Sequence, residues 1–86
     1  MYEFKLYIAG QTPQSNSTIE GVTWFLRNSC GDKHVLNIVD ILQNPSQAID
    51  DGVFVTPTLV KIEPKPERRI VGSLEATGRL SNLLFD

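Results

Sequence analysis

The stretch from Tyr2 to Ile41 reads as strand, helix, strand, and this order restricts the fold more than any other feature. In YEFKLYIA (2–9), Tyr2, Phe4, Leu6 and Ile8 alternate with Glu3, Lys5, Tyr7 and Ala9, the period-two pattern of a half-buried strand. The polar GQTPQSNS (10–17) follows as a loop carrying Gly10 and Pro13. Ser17 and Glu20 have the spacing of a capping box, which predicts a helix from there to about Ser29. Ile19, Val22, Phe25 and Leu26 form its apolar stripe, with Trp24 as a further candidate. Gly31 suits the left-handed position just past its end. VLNIVDI (35–41) is partly apolar on both faces, as in a central strand covered on two sides. A βαβ unit of this kind demands parallel strands and a right-handed crossover.

The second half is shorter in its elements. Asn44 can cap a helix that has Pro45 at its first position and Gln47 at its third. That helix is poorly patterned, holds Ala48 and Ile49, and ends near Asp51–Gly52. VFVTPTLVKI (53–62), the loop EPKPE (63–67) and RRIVG (68–72) have the spacing of a hairpin. Ser73 can cap a last helix running through Leu74, Leu80, Leu83 and Leu84, which Gly78 weakens by about 1 kcal/mol relative to alanine. Pro57 interrupts the apolar run FVTPTLV (54–60). Proline has no N–H for a sheet ladder, so it belongs at an edge, a bulge or a strand start.

With 86 residues the chain is expected to form one domain, residues 1–86. A net charge of −2 argues against a general nucleic-acid or membrane-surface binder. No apolar run approaches the roughly 20 residues of a membrane-spanning helix. The start MYEFKLYIAG alternates like a strand and does not read as a signal peptide. Cys30 is the one cysteine, so no internal disulfide can form. These features point to the cytoplasm.

The order βαβαββα resembles the thioredoxin-like fold. That fold implies a cis-proline at the start of the third strand, here Thr56–Pro57; a trans proline at a strand start is the alternative. A redox enzyme of this kind needs a thiolate at the start of the first helix, where the helix dipole lowers its pKa. TPQS (12–15) stands there instead, and Cys30 lies at the opposite end. His34 reads as a surface histidine, and Asp50–Asp51 as a solvated turn. No catalytic group, cofactor loop or metal set is visible, so no enzyme activity is expected. Lys61, Lys65, Arg68 and Arg69 cluster on the hairpin, half of the chain's eight basic side chains. They read either as a solvated face or as a contact for an acidic partner.

KLYIAGQTPQS (5–15), VDILQNP (39–45), TPTLVKIEPKPERRIVG (56–72) and SLE (73–75) together resemble the KaiB family of circadian-clock regulators. The chain departs from the family pattern at Ser17, Asn37 and Gly52, where several members carry a basic residue, and at Ser73, where the family has aspartate. The resemblance implies a non-enzymatic protein that binds a KaiC-like ATPase ring and modulates its phosphorylation cycle or output. KaiA or a SasA-type kinase are the further partners it implies. It also implies a homo-oligomer, dimer or tetramer, in the unbound state. Two folds are implied, one thioredoxin-like and one with the same first half and a rearranged second half. Lys5, Lys61, Arg68 and Arg69 become the candidate partner-binding residues. Gly10, Pro13, Pro57, Pro64, Pro66 and Gly72 become candidate structural or fold-switch positions. A KaiB-like sensory domain of a SasA-type histidine kinase is the alternative reading, and a thioredoxin-like enzyme is a third.

Overall fold

The computed structural model describes residues 1–72 together with Leu80, Ser81, Leu84 and Phe85. The elements are β1 (Tyr2–Ile8), α1 (Pro13–Cys30), β2 (His34–Asp40), α2 (Pro45–Asp50), β3 (Thr58–Glu63) and β4 (Arg68–Val71). Leu80, Ser81, Leu84 and Phe85 are helical. The expected roles of Ser73, Leu74, Gly78 and Leu83 fall outside the described residues.

The strands form a sheet in the order β2-β1-β3-β4. The β1 and β2 strands are parallel, with Leu6 opposite Ile38, as the helical crossover requires. The β3 strand runs antiparallel to β1, with Leu6 opposite Leu59, and the register shifts at Glu3/Phe4. Antiparallel β4 closes the predicted hairpin, pairing Leu59 with Ile70. Thus β1 is central and β2 is an edge strand. The expectation of a β2 covered on two sides is corrected: Val35 and Ile38 stay about two-fifths exposed, at 42% and 41%. The reason is topological. The chain leaves β2 through α2 and returns past β1 to place β3 on its other side, so among the described residues no strand is laid beyond β2.

Alternation sorts the core into two faces. Phe4, Leu6, Ile8, Leu59 and Ile70 pack with Val22, Phe25 and Leu26 of α1 and with Leu80 and Leu84. Burying each such side chain contributes about 1.5–3 kcal/mol. The opposite face is smaller and gathers Tyr7, Val39, Val53 and Val60, with Ile41 and Ile62 at its margin. Trp24 does not join the α1 stripe; it is 61% exposed. One hundred degrees per residue carries it off the face shared by Val22, Phe25 and Leu26.

The start of α1 also differs from expectation. Thr12 is the N-cap and Pro13 the first helical residue; the Thr12 hydroxyl accepts from the Ser15 amide at 3.0 Å. Ser17 and Glu20 therefore lie inside the helix. Proline at the first position costs no hydrogen bond, and this lets the helix begin a turn earlier. At the other end the Gly31 amide donates to the Arg27 carbonyl. Residues 53–57 precede β3 and do not belong to it, so Pro57 sits just before the ladder. The Thr56–Pro57, Glu63–Pro64 and Lys65–Pro66 bonds are all cis.

Candidate functional site

The four candidate partner-binding cations do not share one surface. Arg68 pairs with Lys61 and Arg69 with Val60 across the hairpin, so the pleat sends the two arginines to opposite faces. Lys61 lies on the helix-covered side and is only 6% exposed. Its charge is therefore not part of an open hairpin face, unlike exposed Lys65 and Arg68. The length of a lysine stem allows this, since its methylenes can lie along apolar surface.

Arg69 and Lys5 meet on the other face. The Arg69 guanidinium donates from Nη1 to the Gly52 carbonyl and from Nη2 to the Asp51 carbonyl, each at 2.8 Å. Terminal helix carbonyls lack intrahelical partners, and here a cation from β4 serves the chain leaving α2. The Asp51 carboxylate accepts from the Tyr7 hydroxyl at 2.7 Å and lies 3.6 Å from Lys5 Nζ. The Tyr7 bond and the Lys5 charge hold the Asp51 carboxyl below its usual range, against the opposing pull of its partial desolvation. Burial, then the Asp51 bond and charge, push the Tyr7 phenol up. Lys5, Tyr7, Asp51, Val60, Ile62, Glu67 and Arg69 line a cleft of about 250 Å³.

This cleft holds no thiol and no imidazole, and its cations face carboxylate or carbonyl oxygens. Its chemistry is that of a braced, charge-compensated surface. The place of a redox thiolate is taken by Thr12 and Pro13 at the α1 start. Cys30 lies at the other end of α1, where burial pushes its thiol up; a reactive cysteine needs the reverse. His34 opens β2, with Nδ1 at 2.8 Å from the Gly31 carbonyl. Among the described residues no three His, Cys, Asp or Glu side chains could hold a metal ion. No helix among them is long and apolar enough to cross a membrane.

The remaining candidates frame the ends of the sheet. Gly10 has φ +79° and Gly72 φ +98°, left-handed values that favour glycine. Gly10 donates its amide to Asp40 Oδ1 at 2.9 Å, and the Leu42 amide reaches the same oxygen at 3.0 Å. Asp40 thus ties the loop after β1 to the turn after β2. The Gly72 amide donates to the Pro57 carbonyl at 3.0 Å. Pro13 opens α1, while Pro64 and Pro66 lie in the turn between β3 and β4. The Tyr7–Asp51 and Asp40 contacts were not singled out from sequence. The alternation gave no signal for them, because it set Tyr7 on the face of Glu3 and Lys5; the structure shows the phenol buried, where it requires a partner.

Comparison with known proteins is consistent along the whole chain. The KaiB domain family model matches residues 5–85. The chain is 40% identical to the circadian clock oscillator protein KaiB of Prochlorococcus marinus strain MIT 9303, covering 99% of this chain and 74% of that protein. It is 39% identical to the KaiB of strain MIT 9312, covering 99% and 84%. Among solved structures, the N-terminal domain of Synechococcus elongatus SasA superposes with a TM-score of 0.74 at 22% identity, covering 94% of this chain and 76% of that one. Thioredoxin 1 of Thermosipho africanus gives a TM-score of 0.74 at 15% identity, covering 94% and 88%. The fold is thioredoxin-like.

Proposed function

The chain belongs to the KaiB family, and from that premise we propose that it is a non-enzymatic clock-type regulator that binds a KaiC-like ATPase ring. Binding modulates the ring's phosphorylation cycle or output, with KaiA or a SasA-type kinase as further partners. The observation that carries this reading is the 40% identity to a KaiB clock oscillator protein over 99% of the chain. Thr12 and Pro13 at the α1 start, where thiol chemistry would need a cysteine, support a binding role over a redox one.

In this reading Arg68 is the candidate cation best placed for a contact, since Lys61 is only 6% exposed and Arg69 and Lys5 lie on the opposite face of the sheet. Arg68 and Arg69 are both exposed on β4, and Arg69 and Lys5 brace the end of α2. The test is a titration of the protein with the KaiC-like ATPase of the same genome. Arg68→Ala should weaken binding, and more so at low salt, since screening removes the advantage of a charged contact. No binding by the unaltered protein, even after long incubation, overturns the reading. Unchanged affinity of Arg68→Ala returns that residue to a solvated role.

A further inference from the structure

Among the described residues β2 has one strand neighbour, β1, so its outer edge is unpaired. The Lys33 carbonyl accepts from the Tyr2 amide, and the Ile41 amide donates to the Ile8 carbonyl. In a parallel ladder these two bonds assign the backbone groups of the odd-numbered residues 33–41 to β1. The amides and carbonyls of His34, Leu36 and Ile38, with the Asp40 amide, are thereby turned to the free edge. The Asp40 carbonyl is already taken by the Gln43 and Asn44 amides. Edge strands are normally blunted by lysine, proline or a bulge. HVLNIVD (34–40) has no lysine and no proline, and its register with β1 runs unbroken from His34 to Asp40. Nothing within this edge repels a further strand.

The sequence of this edge is complementary to itself. A second copy, antiparallel about a two-fold axis at Asn37, sets Leu36 against Ile38, Val35 against Val39 and His34 against Asp40, each twice. The outward amides of Leu36, Ile38 and Asp40 then meet the carbonyls of Ile38, Leu36 and His34 in the other copy. Opposed residues share a face of the sheet. Leu36 and Ile38 therefore meet on the side covered by α1, where Leu36 already packs against the core. Val35 and Val39 meet on the side of Tyr7. The two apolar side chains that the fold leaves uncovered on β2, Val35 and Ile38, are both used. Charge selects this register over its neighbours. Moving the axis to Leu36 sets Asp40 against the exposed Asp32, and like charges directly opposite are destabilising. Moving it to Ile38 sets the Asp40 carboxylate against Leu36. Only the axis at Asn37 gives Asp40 an imidazole to face. We propose that β2 pairs antiparallel with β2 of a second copy of this chain, joining two four-stranded sheets across a two-fold axis at Asn37. A contact of one strand edge is smaller than a standard interface, so this dimer dissociates on dilution. The inference does not depend on the ATPase-binding reading.

Sedimentation of the full chain over a range of concentrations should show a reversible monomer–dimer equilibrium. Val35→Lys and Ile38→Lys put charge on exposed edge positions, so the core is spared, and circular dichroism checks this. Each should weaken self-association about tenfold or more. Cross-linking reads the register. Opposed residues of a non-hydrogen-bonded antiparallel pair have Cα atoms about 4.5 Å apart, within the roughly 4.4–6.8 Å that a disulfide spans. In a Cys30→Ser background, Asn37→Cys should therefore form a disulfide-linked dimer on mild oxidation. Val35→Cys, which faces Val39 and not its own copy, should not. A chain that stays monomeric at every concentration overturns the inference, as does a dimer that survives both lysine variants. Equal cross-linking at both cysteine positions overturns it too. A monomeric chain whose lysine variants lose affinity for the KaiC-like ATPase makes the edge a contact for a different protein, and this also overturns it.

Discussion

Replacing Tyr7 by phenylalanine removes one oxygen from the bracing of α2 and leaves the ring packing in place. Tyr7 is 2% exposed, and its ring stays among Val39, Val53 and Val60. The loss is the 2.7 Å bond to the Asp51 carboxylate. A hydrogen bond to a charged group contributes about 1.5–3 kcal/mol. The Asp51 side chain is 28% exposed and keeps Lys5 at 3.6 Å, so water and Lys5 compensate in part. The expected cost is about 1–2 kcal/mol, and each kcal/mol lowers the Tm of a chain this size by about 4–8 °C.

The pH dependence makes the test specific. Folding lowers the Asp51 pKa, so its stabilisation is complete above the unfolded value of about 3.9 and is lost as pH falls through the folded value. Folding raises the Tyr7 pKa, so its stabilisation is complete below about pH 10 and is lost as pH rises toward the folded value. The stability difference between wild type and Tyr7→Phe should therefore be flat between those limits and shrink beyond each. Urea titrations across the pH range measure it. A difference of zero near neutrality, or one that persists unchanged above pH 10, refutes the argument.

Other outcomes follow from single contacts. Thr12→Ala deletes the cap of α1 and should cost about 1 kcal/mol, read as a lower urea midpoint with an unchanged slope. Gly10→Ala forces a side chain into φ +79° and should cost about 1–2 kcal/mol; the exposed Leu42 beside it can move aside, so strain and not collision sets the value. Cys30, whose thiol burial pushes up, should react with iodoacetamide more slowly than free cysteine at about pH 8, and unfolding in urea should restore the rate. Leu26→Ala, at a site with no exposure, should cost about 2–5 kcal/mol.

Elements with strong local patterns were legible without coordinates. The alternation of Tyr2–Ile8, the apolar spacing of Val22, Phe25 and Leu26, and the hairpin around Pro64–Pro66 specify strand, helix and turn through neighbours only a few residues away. The βαβ handedness follows equally from local geometry. The edge position of β2 was not legible, because Val35 and Ile38 are as apolar as core residues and the order of strands depends on where β3 returns. The α1 start was misplaced for a related reason: Ser17–Glu20 and Thr12–Pro13 are both acceptable local caps, and packing selects the earlier one.

The site divides in the same way. Position in the sequence placed the basic residues on the hairpin and left no cysteine at the α1 start. Only the tertiary structure decided that Lys61 is buried, that Arg69 is spent on the carbonyls at the end of α2, and that Tyr7 finds Asp51 forty-four positions away. Pleat and register set these outcomes, and both depend on pairings between distant strands. The exposure of Leu42, Ile49, Phe54 and Val55 is the clearest case. In the sequence they are ordinary hydrophobic residues near a weak helix; in the fold all four are exposed and none joins either core cluster.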